Sequence, residues 1–248
     1  MNPLGISELK QNLLNKYAID FDIVYDIQDN IPVVSLTPLN LVGFKGIKAV
    51  LRLEWRKIQG EINLGDFGRE LLGELEKNQF FSSELYKTYV AIIKKDNATV
   101  QLKINGQKID IPEEDIPGNW SSFSMRVVKK HVVIDKNNFH EIKYMVEKWS
   151  SRLAGLMVSI LPFESLEHYH FDEEAGLPEG AKTTISINRY ERDRANRQAC
   201  IDYYGVICSI CGFDHGTVYG KIGDGFIHVH HITPVSKLGE NYIIRPIQ

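Results

Sequence analysis

The strongest constraint on the fold is a long apolar stripe between residues 138 and 160. Large apolar side chains recur there at three- and four-residue spacing, from Phe139 to Ile160, which is typical of the buried face of a helix. A stripe this long needs a sheet or other helices to cover it. The preceding residues can form such a sheet, because several short segments mix β-branched and polar residues as strands do.

We predict strands and shorter helices around this long helix. The predicted strands are 21–27, 32–38, a pair within 48–64 broken near Gly60, 85–95, 99–106 and 119–134. The predicted shorter helices are 6–17 with Ser7 as N-cap, 66–77 with Asp66 as N-cap, and 188–204. Asp29 and Asn30 form the expected turn between the first two strands.

These elements predict an α+β fold with a mixed sheet-and-helix domain over residues 1–170. Residues 171–182 are acidic and contain two glycines and a proline, so we expect a linker there. A second domain would then occupy 183–248. No uncharged apolar run is long enough to span a membrane, and the N-terminus has no secretion signal, so we expect a cytoplasmic protein without membrane contact.

Charge and metal-type residues are distributed unevenly along the chain. Residues 182–248 have a charge balance of +2, whereas residues 1–181 have a balance of −5. All three cysteines lie between Cys200 and Cys211, and four of the eight histidines lie between His215 and His231. An odd, clustered set of cysteines does not predict a disulfide framework. The function should therefore lie in the last quarter.

The pair Cys208 and Cys211, followed by Gly212, is the first chemical motif. Two thiolates at this spacing can bind one side of a tetrahedral zinc ion. A redox pair is the alternative, but such a pair normally begins a helix after a strand. Here the motif follows a helix and precedes a glycine-rich segment that we expect to be a hairpin, which favours zinc.

The second motif is the apolar segment 226–234, with histidines at 228, 230 and 231. Neighbouring side chains of a strand point to opposite faces, so one of the adjacent pair His230 and His231 can bind a metal while the other faces water or a substrate. Four arginines on the preceding predicted helix could contact phosphates, although two acidic residues offset them. These are Arg189, Arg192, Arg194 and Arg197.

Taken in order, these motifs resemble the HNH (His-Asn-His) endonucleases, in particular the branch found in restriction and phage-defence nucleases. The resemblance covers about residues 185–248 and rests on residues 189–192, the Cys208/Cys211 pair, residues 212–214, residues 219–220 and residues 225–234. It implies a ββα-metal finger: two antiparallel strands and a helix around one divalent cation.

The resemblance also implies roles for individual residues. His231 matches the general base that activates water, and His230 matches a ligand of a catalytic divalent cation such as Mg²⁺. Cys208 and Cys211 match half of a structural zinc site, while His228 would pack the strand or support the ligands. The implied partner is DNA. Since cutting both strands calls for two active sites, a homodimer is one option that the sequence leaves open.

The family pattern continues beyond the histidines with a second Cys-x-x-Cys and a closing histidine on a helix. No cysteine follows Cys211 and no histidine follows His231. We therefore expect that the chain is a fragment truncated before the last helix of its finger. We also expect residues 205–248 to be only partly folded in isolation and to have little nuclease activity, because two thiolates stabilise a fold far less than a complete zinc site.

Two other functions remain open at this stage. One is a non-catalytic nucleic-acid-binding or regulatory protein with a degenerate HNH module. The other is a transcription factor in which Cys208, Cys211 and the paired histidines bind one zinc ion. The latter is disfavoured, because two adjacent residues on a strand cannot easily point at one ion.

Overall fold

The computed structural model describes most of the chain and contains helices, strands and short 3₁₀ turns. The described residues are 4–39, 46–65, 68–78, 80–109, 116–135, 138–162, 187–230 (backbone alone at 187–193), 232 and 245–247. The helices are α1 (Ile6–Tyr17), α2 (Arg69–Asn78), α3 (Glu84–Lys95), α4 (Phe139–Ile160), α5 (Ile187–Tyr204) and α6 (His215–Tyr219). The strands are β1 (Phe21–Gln28), β2 (Ile31–Pro38), β3 (Ile47–Glu54), β4 (Lys57–Leu64), β5 (Thr99–Ile104), β6 (Gln107–Ile109) and β7 (Phe123–Lys130). The 3₁₀ turns are Phe80–Ser82 and Gly220–Ile222.

The strands form one sheet in the order β1-β2-β3-β4-β7-β5-β6, and every pair in it is antiparallel. Two hairpins close at residues whose backbone is left-handed. Asp29 and Asn30 have φ angles of 49° and 60°, and Asn105 and Gly106 have φ angles of 53° and 77°. Two successive positive φ angles match the right-handed twist of the flanking strands. The predicted α+β fold class and the turn at residues 29–30 are thus confirmed.

One face of the sheet is buried under the helices. In β3 the side chains of Ile47, Ala49, Leu51 and Leu53 are buried while the intervening ones are more exposed, which is the alternation expected of a strand with one covered face. Helix α4 packs across β2, β3 and β4. The apolar stripe of the sequence therefore lies at the centre of the core, as predicted.

Residues 85–95 were predicted as a strand, and this prediction is wrong: they belong to helix α3. The buried positions Tyr86, Tyr89 and Ile93 recur at three- and four-residue spacing, which is the helical period. The abundance of β-branched and aromatic residues favoured a strand locally, but packing against α4 determines the structure.

Two smaller predictions also differ from the structure. The turn between β3 and β4 lies at Trp55 and Arg56, whereas Gly60 is inside β4, where a Cβ atom would lie 2.4 Å from Leu153 of α4. Glycine is used there so that α4 can approach the sheet closely. Helix α1 begins after Gly5 rather than Ser7. The proposed cap Asp66 and the linker 171–182 lie outside the described residues, so the domain boundaries stay predictions.

Within the part of the chain that the structure describes, no helix is both long enough and apolar enough to cross a membrane.

Candidate metal and nucleic-acid site

Helix α5 connects the candidate site to the body of the fold. Its buried positions are Ala195, Gln198 and Ala199, which share one face with Asp202 at helical spacing. This face packs against α1, α3 and α4. Two small alanines allow the close approach of α5 to these helices. The helix that precedes the cysteine motif is therefore anchored to the helices that cover the sheet.

An ionic network reinforces this anchoring. Arg152 of α4 places Nη1 2.8 Å from Oδ2 of Asp202 and Nε 3.0 Å from Oδ2 of Asp96. Lys148 lies 2.6 Å from the other oxygen of Asp96, and Gln198 donates to Oδ1 of Asp202 at 2.9 Å. Burial alone would raise the pKa of Asp96, but the hydrogen bonds from Lys148 and Arg152 outweigh it and hold that pKa below its usual value.

After α5 the chain forms a tight loop at the two cysteines. The N–H of Cys208 donates to the carbonyl of Phe213 at 2.9 Å, and the N–H of Gly212 donates to the carbonyl of Cys208 at 2.8 Å. Gly212 has a φ of 71°, which side-chain-bearing residues rarely adopt. The Cys-x-x-Cys-Gly pattern thus produces the knuckle that the sequence predicts.

The knuckle favours a thiolate at Cys208. Backbone N–H groups of Cys211 and Ile210 donate to its sulfur, and together with the Cys211 thiol they hold the pKa of Cys208 below its usual value. The pKa of Cys200, on α5, is instead raised by burial. Cys211 is exposed and Cys208 is partly exposed, so both sulfurs are open to a ligand.

The segment after the knuckle was expected to be a glycine-rich hairpin, but the structure contains the short helix α6 there. Asp214 caps it, accepting hydrogen bonds from the N–H of Gly216 at 2.9 Å and the hydroxyl of Thr217 at 2.9 Å. The signal for this cap was present in the sequence, since Asp is one of the residue types preferred at a helix N-cap. Gly223 then packs on α6, where a Cβ would lie 2.2 Å from the carbonyl oxygen of His215.

A row of rings leads from α6 to the histidine segment. His215 contacts Phe226 edge-on with ring centroids 4.9 Å apart, Phe226 contacts His228 at 5.0 Å, and His228 stacks on His230 at 5.9 Å. The rings of Phe226, His228 and His230 therefore lie along one side of this segment. Among the described residues, segment 226–230 pairs with no strand.

Arg197 attaches this segment to α5. Its Nη2 donates to the carbonyl of Ile227 at 2.9 Å, so the guanidinium supports the backbone between Phe226 and His228. The sequence analysis gave Arg197 as one of four possible phosphate contacts, and no local pattern could have indicated a bond to a residue thirty positions away. Arg194, one helical turn earlier, is exposed. The side chains of Arg189 and Arg192 and the predicted base His231 lie outside the described residues.

The predicted metal ligands Cys208, Cys211 and His230 all lie among the described residues. They contain no group of three or more His, Cys, Asp or Glu side chains arranged to bind one metal ion. Cys208 and Cys211 fit one side of a tetrahedral zinc ion, for which four ligands are usual. The exposed imidazole of His230 fits a catalytic divalent cation as a single ligand.

Neither a protein-family model, nor a curated protein, nor a solved structure matches the chain. The fold and the geometry of residues 187–230 are therefore the basis on which function is inferred.

Proposed function

We propose that the chain is a metal-dependent HNH endonuclease that hydrolyses DNA phosphodiester bonds, in restriction or defence against foreign or modified DNA. One observation carries the proposal: the Arg197–Ile227 bond, at 2.9 Å, brings the histidine segment against the arginine-bearing helix that leads into the cysteine knuckle. Thiolates, imidazoles and guanidinium groups, the residue types that HNH chemistry uses, are thus collected on one short length of chain.

The proposed chemistry divides the work among these groups. His231, next to His230, would take a proton from water, since a neutral imidazole can act as a base near neutral pH. His230 would hold a divalent cation, which would supply stabilisation of the negative charge on the phosphoryl oxygens and the departing oxygen. Arg194 would bind a flanking phosphate. Cys208 and Cys211 would hold structural zinc, fixing the loop before α6.

Nicking of a supercoiled plasmid with Mg²⁺ or Mn²⁺ tests the catalytic proposal, because a single cut per plasmid is detected. We expect weak nicking by the unmodified chain and a further loss of about a hundredfold or more in His231→Ala. His140→Ala, which removes an exposed histidine of α4, is the matched control and should cut normally. Nicking that survives His231→Ala would reject the assigned base. A chain that fails to nick with either metal would favour the non-catalytic, nucleic-acid-binding alternative.

Zinc content tests the knuckle separately. A full-length form should hold structural zinc, whereas this chain supplies two of the four usual ligands and should take up added zinc only weakly. Elemental analysis after dialysis should find less zinc in Cys208→Ser than in the unmodified chain. Cys200→Ser is the control, since Cys200 lies on α5 and its thiol pKa is raised by burial. Equal zinc content in both variants would show that the knuckle does not bind the metal.

A further inference from the structure

A second surface with binding chemistry lies at the turn between β3 and β4 and at the end of β7, which contain none of the predicted site residues. The turn between β3 and β4 carries Trp55 and Arg56, followed by Lys57. The end of β7 carries Lys130 and His131. Lys57 and Lys130 are direct partners in the sheet register, and the N–H of Val132 donates to the carbonyl of Arg56 at 3.4 Å. We call Trp55, Arg56, Lys57, Lys130 and His131 the basic corner.

Three features of the basic corner are not explained by the stability of the fold. Trp55 is 64% exposed, although tryptophan is usually well buried. Lys57 and Lys130 face each other across the strands, and like charges in this arrangement are destabilising. Lys57 forms an ion pair with Glu54, with Nζ 3.0 Å from Oε2. Among the described residues, Lys130 makes no ion pair. His131 has a φ of 59°, in the left-handed region.

The same features match the requirements of a nucleic-acid strand. The guanidinium of Arg56 lies over the Trp55 ring, 5.1 Å from its centroid, so the indole is held by a cation–π contact. An exposed indole with cations beside it can stack on an unpaired base while the cations contact the adjacent phosphates. The domain as a whole is acidic, so a local excess of positive charge marks this corner as the place where a polyanion can bind.

We propose that the basic corner binds single-stranded or locally unpaired DNA, with a base stacked on Trp55 and phosphates on Arg56 and Lys130. A duplex end or an acidic protein would leave the indole without an unpaired base to stack on. The choice of DNA rests on the proposed function. The binding itself does not, since it can be measured without a divalent metal and without cleavage.

Tryptophan fluorescence provides a direct test, because Trp55 is the exposed one of three tryptophans; Trp120 and Trp149 are 8% and 1% exposed. Titration of the full chain with a short oligothymidylate, in EDTA and low salt, should quench the emission. Trp55→Ala should weaken binding, followed by anisotropy of a labelled oligonucleotide, by roughly tenfold. Lys130→Glu should weaken it several-fold and flatten its salt dependence.

Lys77→Glu is the matched control, because Lys77 is exposed on α2, away from the basic corner. Its replacement by glutamate changes the net charge by the same amount as Lys130→Glu. It should leave binding unchanged. Absence of quenching, equal effects of Lys130→Glu and Lys77→Glu, or equal binding of a duplex or of polyglutamate would each overturn the proposal. Thermal melts of all variants show whether each is folded, and the exposed position of Trp55 predicts that its variant melts normally. A chain that binds DNA here but cuts none would contradict the nuclease proposal alone.

Discussion

Replacing Arg152 by methionine tests how firmly helix α5 is attached to the rest of the fold. Arg152 is 13% exposed and pairs with Asp96 at 3.0 Å and with Asp202 at 2.8 Å, which are 17% and 10% exposed. Methionine fills a similar volume but leaves both carboxylates without this partner. Breaking a buried ion pair by removing one partner costs about 3–5 kcal/mol. Since Lys148 still pairs with Asp96, we expect the lower end, about 3 kcal/mol.

Urea unfolding measures this loss. With a slope of about 1–3 kcal/mol per molar urea, the midpoint should fall by about 1–3 M. Lys143→Met is the control, because Lys143 pairs with Glu8 at 2.7 Å but the Glu8 side chain is 62% exposed. An exposed pair contributes about 1 kcal/mol or less. A loss in Arg152→Met no larger than in the control would refute the argument that this network anchors α5. Hydrogen exchange at the α5 amides would then show whether the helix opens alone.

The pH dependence of stability tests the same ion-pair network independently. The pKa of Asp96 is held below its usual value in the folded chain, against the opposing effect of burial. Such a group contributes stability that is complete above its unfolded pKa, about 3.9, and that is lost as the pH falls through the folded pKa. The unmodified chain should therefore lose stability below about pH 4. The gap between it and Arg152→Met should narrow over the same range.

Further predictions concern helix packing and the histidine segment. Gly155→Ala should destabilise by about 1–3 kcal/mol, because its Cβ would lie 2.1 Å from Tyr89. Gly73→Ala, on α2 with nothing within 4 Å, should instead stabilise by up to about 1 kcal/mol, and thermal melts separate the two. Arg197→Met should slow plasmid nicking with little change in DNA affinity, because Arg197 supports the backbone at Ile227. Arg194→Met should weaken DNA affinity instead. If Arg197→Met weakened DNA affinity and Arg194→Met did not, Arg197 would be the residue that binds phosphate.

The parts of the fold that depend on local chemistry could be predicted from the sequence. The Asp29–Asn30 turn and helix α4 follow from residue type and spacing within a few positions. The placement of β7 between β4 and β5 could not, because it pairs residues about 65 positions apart, such as Ile62 with Met125. Helix α3 was missed because its strand-like composition is overridden by contacts with α4.

The candidate site likewise contains a local feature that the sequence predicts and a long-range contact that it does not. The Cys208–Gly212 knuckle is a local structure that the Cys-x-x-Cys-Gly pattern predicts, and Gly212 has the positive φ that such a turn requires. The bond from Arg197 to Ile227 depends on how a helix and a loop approach each other, and a single sequence contains no pattern for it. The exposure of Trp55 could not be predicted either, since a tryptophan in a strand-rich segment is normally expected in the core.

The boundary of the proposed nuclease motif does not coincide with a boundary in packing. By resemblance, α5 belongs with the cysteines and histidines that follow it. By burial, Ala195 and Ala199 belong to the core formed with α1, α3 and α4. Separating the two parts at residue 183 would expose both alanines and leave Asp202 without Arg152. Because Arg197 extends from this same helix to Ile227, the position of the histidine segment depends on the packing that Arg152 stabilises. The packing of α5 against α1, α3 and α4 therefore helps to position the histidine segment.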